Sequence, residues 1–176
     1  MNKGLVVYRS KYGATKRYAE WFARQMGYDL VENKGLGAAA FAAYDTVVFF
    51  CAIYASGMSG VNTLRKHWPV LGKKRLAIFC VGASPYDAQA FNAIKQQNLK
   101  GALKDVPVFY GRGAWNEAAL SFADRTLCRM LMKSVAKKNP AELAPWEQAL
   151  MEAQGRHCDW TDARHLEPLV EFIQEP

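Results

Sequence analysis

Apolar residues fall into five short runs along the chain, and the stretches between them carry helical periodicity. That alternation predicts a parallel α/β sheet. Gly4-Leu5-Val6-Val7-Tyr8-Arg9 is β-branched and apolar, as a first strand would be, and Lys16 to Ala23 continues with helical spacing. Tyr28 to Asn33 alternates apolar and polar like a half-exposed edge strand, and Lys34-Gly35-Leu36-Gly37 breaks it. Asp45 to Ile53 and Arg75 to Gly82 are almost continuously apolar, the pattern of central parallel strands covered on both faces. Helices are predicted from about Val61 to Leu71, with Leu64 and Trp68 on one face, and from about Asp87 to Asn98. Val106 to Gly111 supplies a fifth strand. A helix over Thr161 to Gln174, apolar at Leu166, Leu169, Val170 and Ile173 and bent at Pro168, closes the fold.

The expected architecture is a doubly wound five-stranded parallel sheet with helices on both faces. A single domain spans residues 1–176, interrupted near the last strand by an insertion at about 112–158. Met1-Asn2-Lys3 leads straight into the first strand without a signal peptide, and no apolar run is long enough to cross a bilayer, which points to the cytoplasm.

Charge divides the chain. The net charge is +7, yet residues 139–176 hold 2 Lys/Arg against 8 Asp/Glu, so the preceding residues are strongly basic. A basic face for anions is expected, with the acidic end lying elsewhere or partly covering it. No nucleic-acid motif accompanies the charge, so nucleic acid is not an expected partner. Cys51 and Cys80 lie inside strand-like runs and read as apolar filler. With Cys128 and Cys158 they form no C-x-x-C pair and no metal spacing with His67, His157 and His165, which read as surface or capping residues, so no metal is expected.

Candidate chemistry concentrates where the first strand hands over to the first helix, at Ser10-Lys11-Tyr12-Gly13-Ala14-Thr15. A helix N-terminus carries unpaired N–H groups and partial positive charge, so it binds phosphate without a dedicated lysine. Ser10 and Thr15 add hydroxyls, Gly13 permits close approach, and Lys11, Lys16 and Arg17 raise the potential. The loops beginning at Tyr54 and Gly82 leave neighbouring strands at the same sheet edge, so three loops converge on one crevice.

These residues resemble the flavodoxin family, whose members bind FMN through a T/S-x-T/S-G-x-T loop after the first strand, and most of all its branch of menaquinone-dependent protoporphyrinogen dehydrogenases. The resemblance covers essentially the whole chain and implies a flavodoxin-like fold with FMN as cofactor. It assigns the phosphate to Ser10, Gly13 and Thr15 with the backbone of Lys11, Tyr12 and Ala14, although Tyr12 stands where the family has a hydroxyl residue. It places Ile53, Tyr54, Ala55, Ser56 and Gly57 beside one flavin edge and Gly82, Ala83, Ser84, Pro85 and Tyr86 beside the other. Tyr54 and Tyr86 are candidates to stack on the flavin, and Gly57 to flip its peptide with redox state. No catalytic residue is assigned.

Within the insertion, Arg125, Arg129, Lys133 and Lys137 recur at steps of four, with Leu127, Met130 and Leu131 on an adjoining face and Trp115, Phe122 and Met132 nearby. This basic amphipathic helix suits a peripheral membrane contact on the cytoplasmic side, a cover for the crevice, an anionic small-molecule substrate, or plain solvation. The resemblance implies an FMN-dependent oxidoreductase passing electrons from a reduced organic substrate, a porphyrinogen, to a quinone. A soluble electron carrier with a redox protein partner and an interaction module without turnover remain the alternatives.

Overall fold

The computed structural model describes residues 3–175, so Met1, Asn2 and Pro176 lie outside it. In chain order the elements are β1 (Gly4–Arg9), α1 (Ala14–Met26), β2 (Asp29–Glu32), α2 (Ala39–Ala42), β3 (Thr46–Tyr54), β4 (Gly57–Met58), α3 (Val61–Lys66), α4 (Trp68–Leu71), β5 (Arg75–Gly82), α5 (Ala88–Asn98), β6 (Val108–Arg112), β7 (Ala114–Asn116), α6 (Phe122–Val135), α7 (Pro145–Glu152), β8 (His157–Asp159) and α8 (Glu167–Gln174). Five strands form a parallel sheet in the order β2-β1-β3-β5-β6, with the short β4 hairpinned onto β3. The doubly wound α/β architecture expected from the run pattern is present.

The continuous apolar runs resolve into two interleaved sets, because successive strand side chains point to opposite faces. Val47, Phe49 and Cys51 of β3 join Ile78 and Cys80 of β5 under Phe41, Leu64, Leu71 and Phe91. Val48 and Phe50 join Ala77 and Phe79 on the other face, beneath Tyr18 and Phe22 of α1 and Leu169 and Ile173 of α8. The Phe50 and Phe79 ring centroids lie 5.2 Å apart, and truncating either to alanine costs about 3–5 kcal/mol. Cys51 and Cys80 are filler in this core, and burial pushes the Cys51 thiol up to about 12.

Three expectations need correction. The helix expected over Val61 to Leu71 breaks at His67, because Pro69 lacks an N–H and starts a new turn in α4. The closing helix begins at Glu167 with Pro168 in its first turn, where proline is tolerated rather than bending. Asp162 instead caps a separate 3₁₀ turn over Ala163–Leu166. His67 is buried at 8% exposure, its Nε2 hydrogen-bonded to the Leu36 carbonyl at 3.1 Å, rather than lying on the surface.

The chain leaves the sheet after β6, makes the two-stranded ribbon β7-β8 around α6 and α7, and returns for α8. Tyr18, fully buried in α1, ties this return to the core. Its hydroxyl donates to the Arg112 carbonyl at 2.7 Å and accepts from Asp162 N at 3.0 Å, with His165 Nδ1 at 2.6 Å. No helix among the described residues is long and apolar enough to cross a membrane.

Candidate functional site

The carboxyl ends of β1, β3 and β5 stand side by side, with Arg9 opposite Cys51 and Ala52 opposite Val81. The chain steps from β1 to β2 on one side and to β3 on the other, so strand order reverses between β1 and β3, where open α/β sheets bind ligands. Surface hollows such as the one lined by Lys95, Leu99, Lys104 and Val108 lie at the opposite end of the strands.

The first loop is an anion cradle by construction. Gly13 is the N-cap of α1 with φ 98°, no side chain caps the helix, and its first turn holds no acidic residue. The first helical bond runs from Arg17 N to Gly13 O at 3.0 Å, so the N–H groups of Ala14, Thr15 and Lys16 have no partner earlier in the helix. Ser10 Oγ accepts from Gly13 N at 3.1 Å, which closes the loop and keeps the hydroxyl's own proton available. Thr15 is buried behind it. A Cβ on Gly13 would meet nothing within 4 Å, so the space before the loop is open.

The second loop is a tight hairpin. Tyr54 pairs with Gly57, and Ala55 and Ser56 between them hold φ of 46° and 62°. Two successive residues with positive φ make the turn that matches strand twist. Side chains other than glycine adopt it at a cost of about 1 kcal/mol or more each. Asn98 and Ser59 secure the hairpin. Asn98 Nδ2 donates to Ser56 O at 2.7 Å while its Oδ1 accepts from Met58 N at 2.9 Å, and Ser59 Oγ accepts from Ala52 N at 2.8 Å. The Ser56–Gly57 peptide, the candidate for a redox-linked flip, is held through its carbonyl by Asn98 in this conformation.

In the third loop the carbonyls of Gly82, Ala83 and Ser84 accept from Gly113 N at 2.7 Å, Arg112 Nε at 3.0 Å and Tyr110 Oη at 2.6 Å. Gly113 has no room for a side chain, since a Cβ there would sit 2.8 Å from Val81 Cγ1. After Pro85, Tyr86 is 62% exposed and leans on Phe91 and Tyr110 at centroid distances of 5.7 Å each.

The basic residues around the cradle are each paired rather than free. Arg17 meets Asp159 at 2.5 Å and Lys16 meets Glu20 at 3.7 Å, while Lys11 Nζ and Tyr12 Oη both bond Asp124 Oδ2. Asp124 stands in the first turn of α6, capped through its N–H by Ser121 Oγ at 3.3 Å, and Tyr12 Oη also accepts from Ser121 N at 3.2 Å. Lys11 Nζ lies over the Tyr54 ring, 5.1 Å from its centroid. Lys11 first, then Tyr12, holds the Asp124 carboxyl far below the usual range, and the carboxylate raises Lys11 in turn. Burial, then the interaction of its hydroxyl with the Asp124 carboxylate, pushes the Tyr54 phenol up, and Tyr54 in turn helps to hold Asp124 down. The buried Tyr54 hydroxyl makes no well-formed hydrogen bond among the described residues, and Asp124 is the acceptor it faces. Lys11 and Tyr12 are expected to act through their backbones, and their side chains reach the insertion at Asp124. Sequence reasoning missed Asp124, for the only local sign is Ser121 three residues earlier, the ordinary mark of a helix start.

The insertion helix differs from expectation in two ways. Lys137 lies beyond its end at Val135, and Arg125 is tucked inward, donating to the Ala118 and Leu120 carbonyls at 2.9 and 3.2 Å. Phe122, Leu127, Met130 and Leu131 are exposed, whereas Met132 and Val135 are buried.

The family model described as a flavodoxin domain matches residues 5–142. This chain belongs to the flavodoxin domain family. Among solved structures, the flavodoxin-domain chain is similar to a WrbA-like protein from Agrobacterium tumefaciens, at 20% identity over 98% of this chain and 99% of that one, with a TM-score of 0.45. It is also similar to a flavoprotein in complex with FMN from Lactobacillus acidophilus, at 15% identity over 64% and 93% with a TM-score of 0.47. A Megasphaera elsdenii flavodoxin matches at 16% identity over 61% and 82%, with a TM-score of 0.46. No curated protein matches the chain by sequence.

The residues present fit a phosphate-bearing flavin. An uncapped helix start faces open space, and a hairpin braced by Asn98 stands at the end of a neighbouring strand.

Proposed function

We propose that this chain is an FMN-dependent oxidoreductase that takes electrons from a reduced, anionic organic substrate of the porphyrinogen type and passes them to a quinone. In this reading the N–H groups of Lys11, Tyr12 and Ala14 and the Ser10 and Thr15 hydroxyls hold the FMN phosphate, and Gly13 gives it room to approach. The 53–57 and 82–86 loops flank the ring. Bound there, FMN accepts electrons in pairs and releases them in pairs or singly, chemistry that no side chain supplies.

The chain's own residues bind, orient and shield. The Tyr54–Gly57 hairpin presents a fixed peptide edge because Asn98 holds it, and Tyr86 offers an exposed ring at the rim.

One observation carries the enzyme reading over a simple electron carrier: α6 is fastened to the phosphate loop through Asp124 and displays a basic, partly apolar surface beside the crevice. Arg129, Lys133 and Lys137 are exposed there next to Phe122, Leu127 and Met130. Cations suit a carboxylate-bearing substrate, and the apolar flank suits a quinone or the anionic lipid surface in which quinones reside.

The test is anaerobic. Protoporphyrinogen is expected to bleach the flavin of the loaded protein, and a menaquinone analogue to restore its colour. Failure to bleach, together with fast electron exchange with a ferredoxin-type protein, would replace the enzyme by a carrier.

A further inference from the structure

We propose that Asp124 is an internal anion that competes with the cofactor phosphate for Lys11, so that filling the phosphate site unlatches helix α6. This rests on the FMN reading above and adds a device to it.

Lys11 is the one charged side chain of the loop over residues 10–15, and its ammonium is committed to Asp124 while lying over the Tyr12 and Tyr54 rings at 5.5 and 5.1 Å from their centroids. The carboxylate is 9% exposed and comes from a residue 113 positions away in the chain. A phosphate dianion arriving at the start of α1 brings a larger negative charge close to both groups. It attracts Lys11 and repels Asp124, and both effects are strengthened where the carboxylate is shielded from water.

Besides Asp124, this end of the helix is held by the bond from Ser121 N to Tyr12 Oη at 3.2 Å, part of the same cluster, and by buried Leu120 just before the helix. Across α6 the buried side chains are Asp124, Met132 and Val135, while Phe122 at its start is 86% exposed. Lifting Asp124 away therefore gives up the main attachment of the first turn to the flavodoxin core.

Flavin-free wild type, Asp124→Asn, Lys11→Met and the double variant are titrated with FMN by fluorescence quenching. Each is then digested with trypsin, with and without FMN, and cleavage after Arg129, Lys133 and Lys137 is followed. Asp124→Asn is expected to bind FMN about fivefold more tightly, and the gain vanishes in the Lys11→Met background. FMN speeds cleavage of the wild-type insertion, and Asp124→Asn is cleaved as fast without FMN. Weaker binding by Asp124→Asn, the same gain without Lys11, or protection of the insertion by FMN would overturn the proposal. Equal cleavage of flavin-free wild type and Asp124→Asn would remove the latch alone. Absence of flavin binding to every form would instead remove the cofactor reading and the competition with it.

Discussion

Asn98, in the last turn of α5, donates a 2.7 Å hydrogen bond to the carbonyl of Ser56 and thereby sets the shape of a turn 42 residues before it. Its oxygen meets Met58 N, so one amide braces both sides of the hairpin that borders the candidate flavin site. Asn98→Ala leaves Met58 N without its partner and is expected to lower stability by about 1–2 kcal/mol. Asn98→Asp keeps the acceptor but sets a carboxylate against the Ser56 carbonyl. Urea denaturation should give Asn98→Asp a midpoint no higher than wild type, and FMN titration should give weaker binding for both variants. Unchanged affinity would detach this brace from the site.

Ala55 and Ser56 hold positive φ without being glycine. Ser56→Gly removes the steric penalty at the cost of a more flexible unfolded chain, with a net gain of about 0.5–1 kcal/mol expected. A rise in the urea midpoint with an unchanged slope is the expected signature, and a fall would mean that the Ser56 side chain contributes more than its backbone strain costs.

At Gly13 the φ of 98° and the open space beyond its Cα separate two effects. Gly13→Ala adds strain without charge and is expected to cost about 1–2 kcal/mol of stability. Gly13→Asp adds the same strain and a carboxylate at the cradle, so its FMN affinity should fall at least tenfold below that of Gly13→Ala. Equal affinities for the two variants would exclude this loop as the phosphate site.

Asp159 ties β8 to α1 through Arg17 and bonds its own neighbour Thr161. Partial burial pushes its carboxyl up, but the hydrogen bonds from Thr161 and Arg17 outweigh this and bring it to about 2 from the ordinary 3.8. The folded state therefore binds this proton more weakly than the unfolded chain. The resulting stabilisation is full above about pH 4 and is lost as pH falls toward 2. Asp159→Asn should show a shallower loss of stability than wild type across that window by acid-dependent thermal melting. Identical slopes would mean the pair contributes nothing there.

The sheet was legible because its central strands must be apolar on both faces, and Val47 to Cys51 and Leu76 to Val81 leave no other reading. The loop at Gly13 was legible because phosphate binding there is a property of adjacent backbone. What escaped was long-range and polar. Asp124 lies 112 residues from Tyr12, and Asn98 lies 42 from Ser56, so neither pairing leaves any periodicity or spacing to read. The opposite sign of the acidic C-terminal segment was visible, but only folding pairs Asp159 with Arg17 and Glu147 with Lys138 at 2.5 Å each. Positive charge that looked available to ligands around the cradle is thus largely spent within the chain.

The insertion departs from the sheet at Gly113 and is back beside it at Trp160, whose N–H donates to the Gly113 carbonyl at 3.0 Å, while Arg112 lies 3.8 Å over the Trp160 ring centroid. Its two ends thus share one point on the core, as the ends of a cassette do. Beyond this shared point, the segment is fixed to the core by Lys11 and Tyr12 through Asp124 and by Arg17 through Asp159, so its position is set at the mouth of the crevice rather than along the sheet.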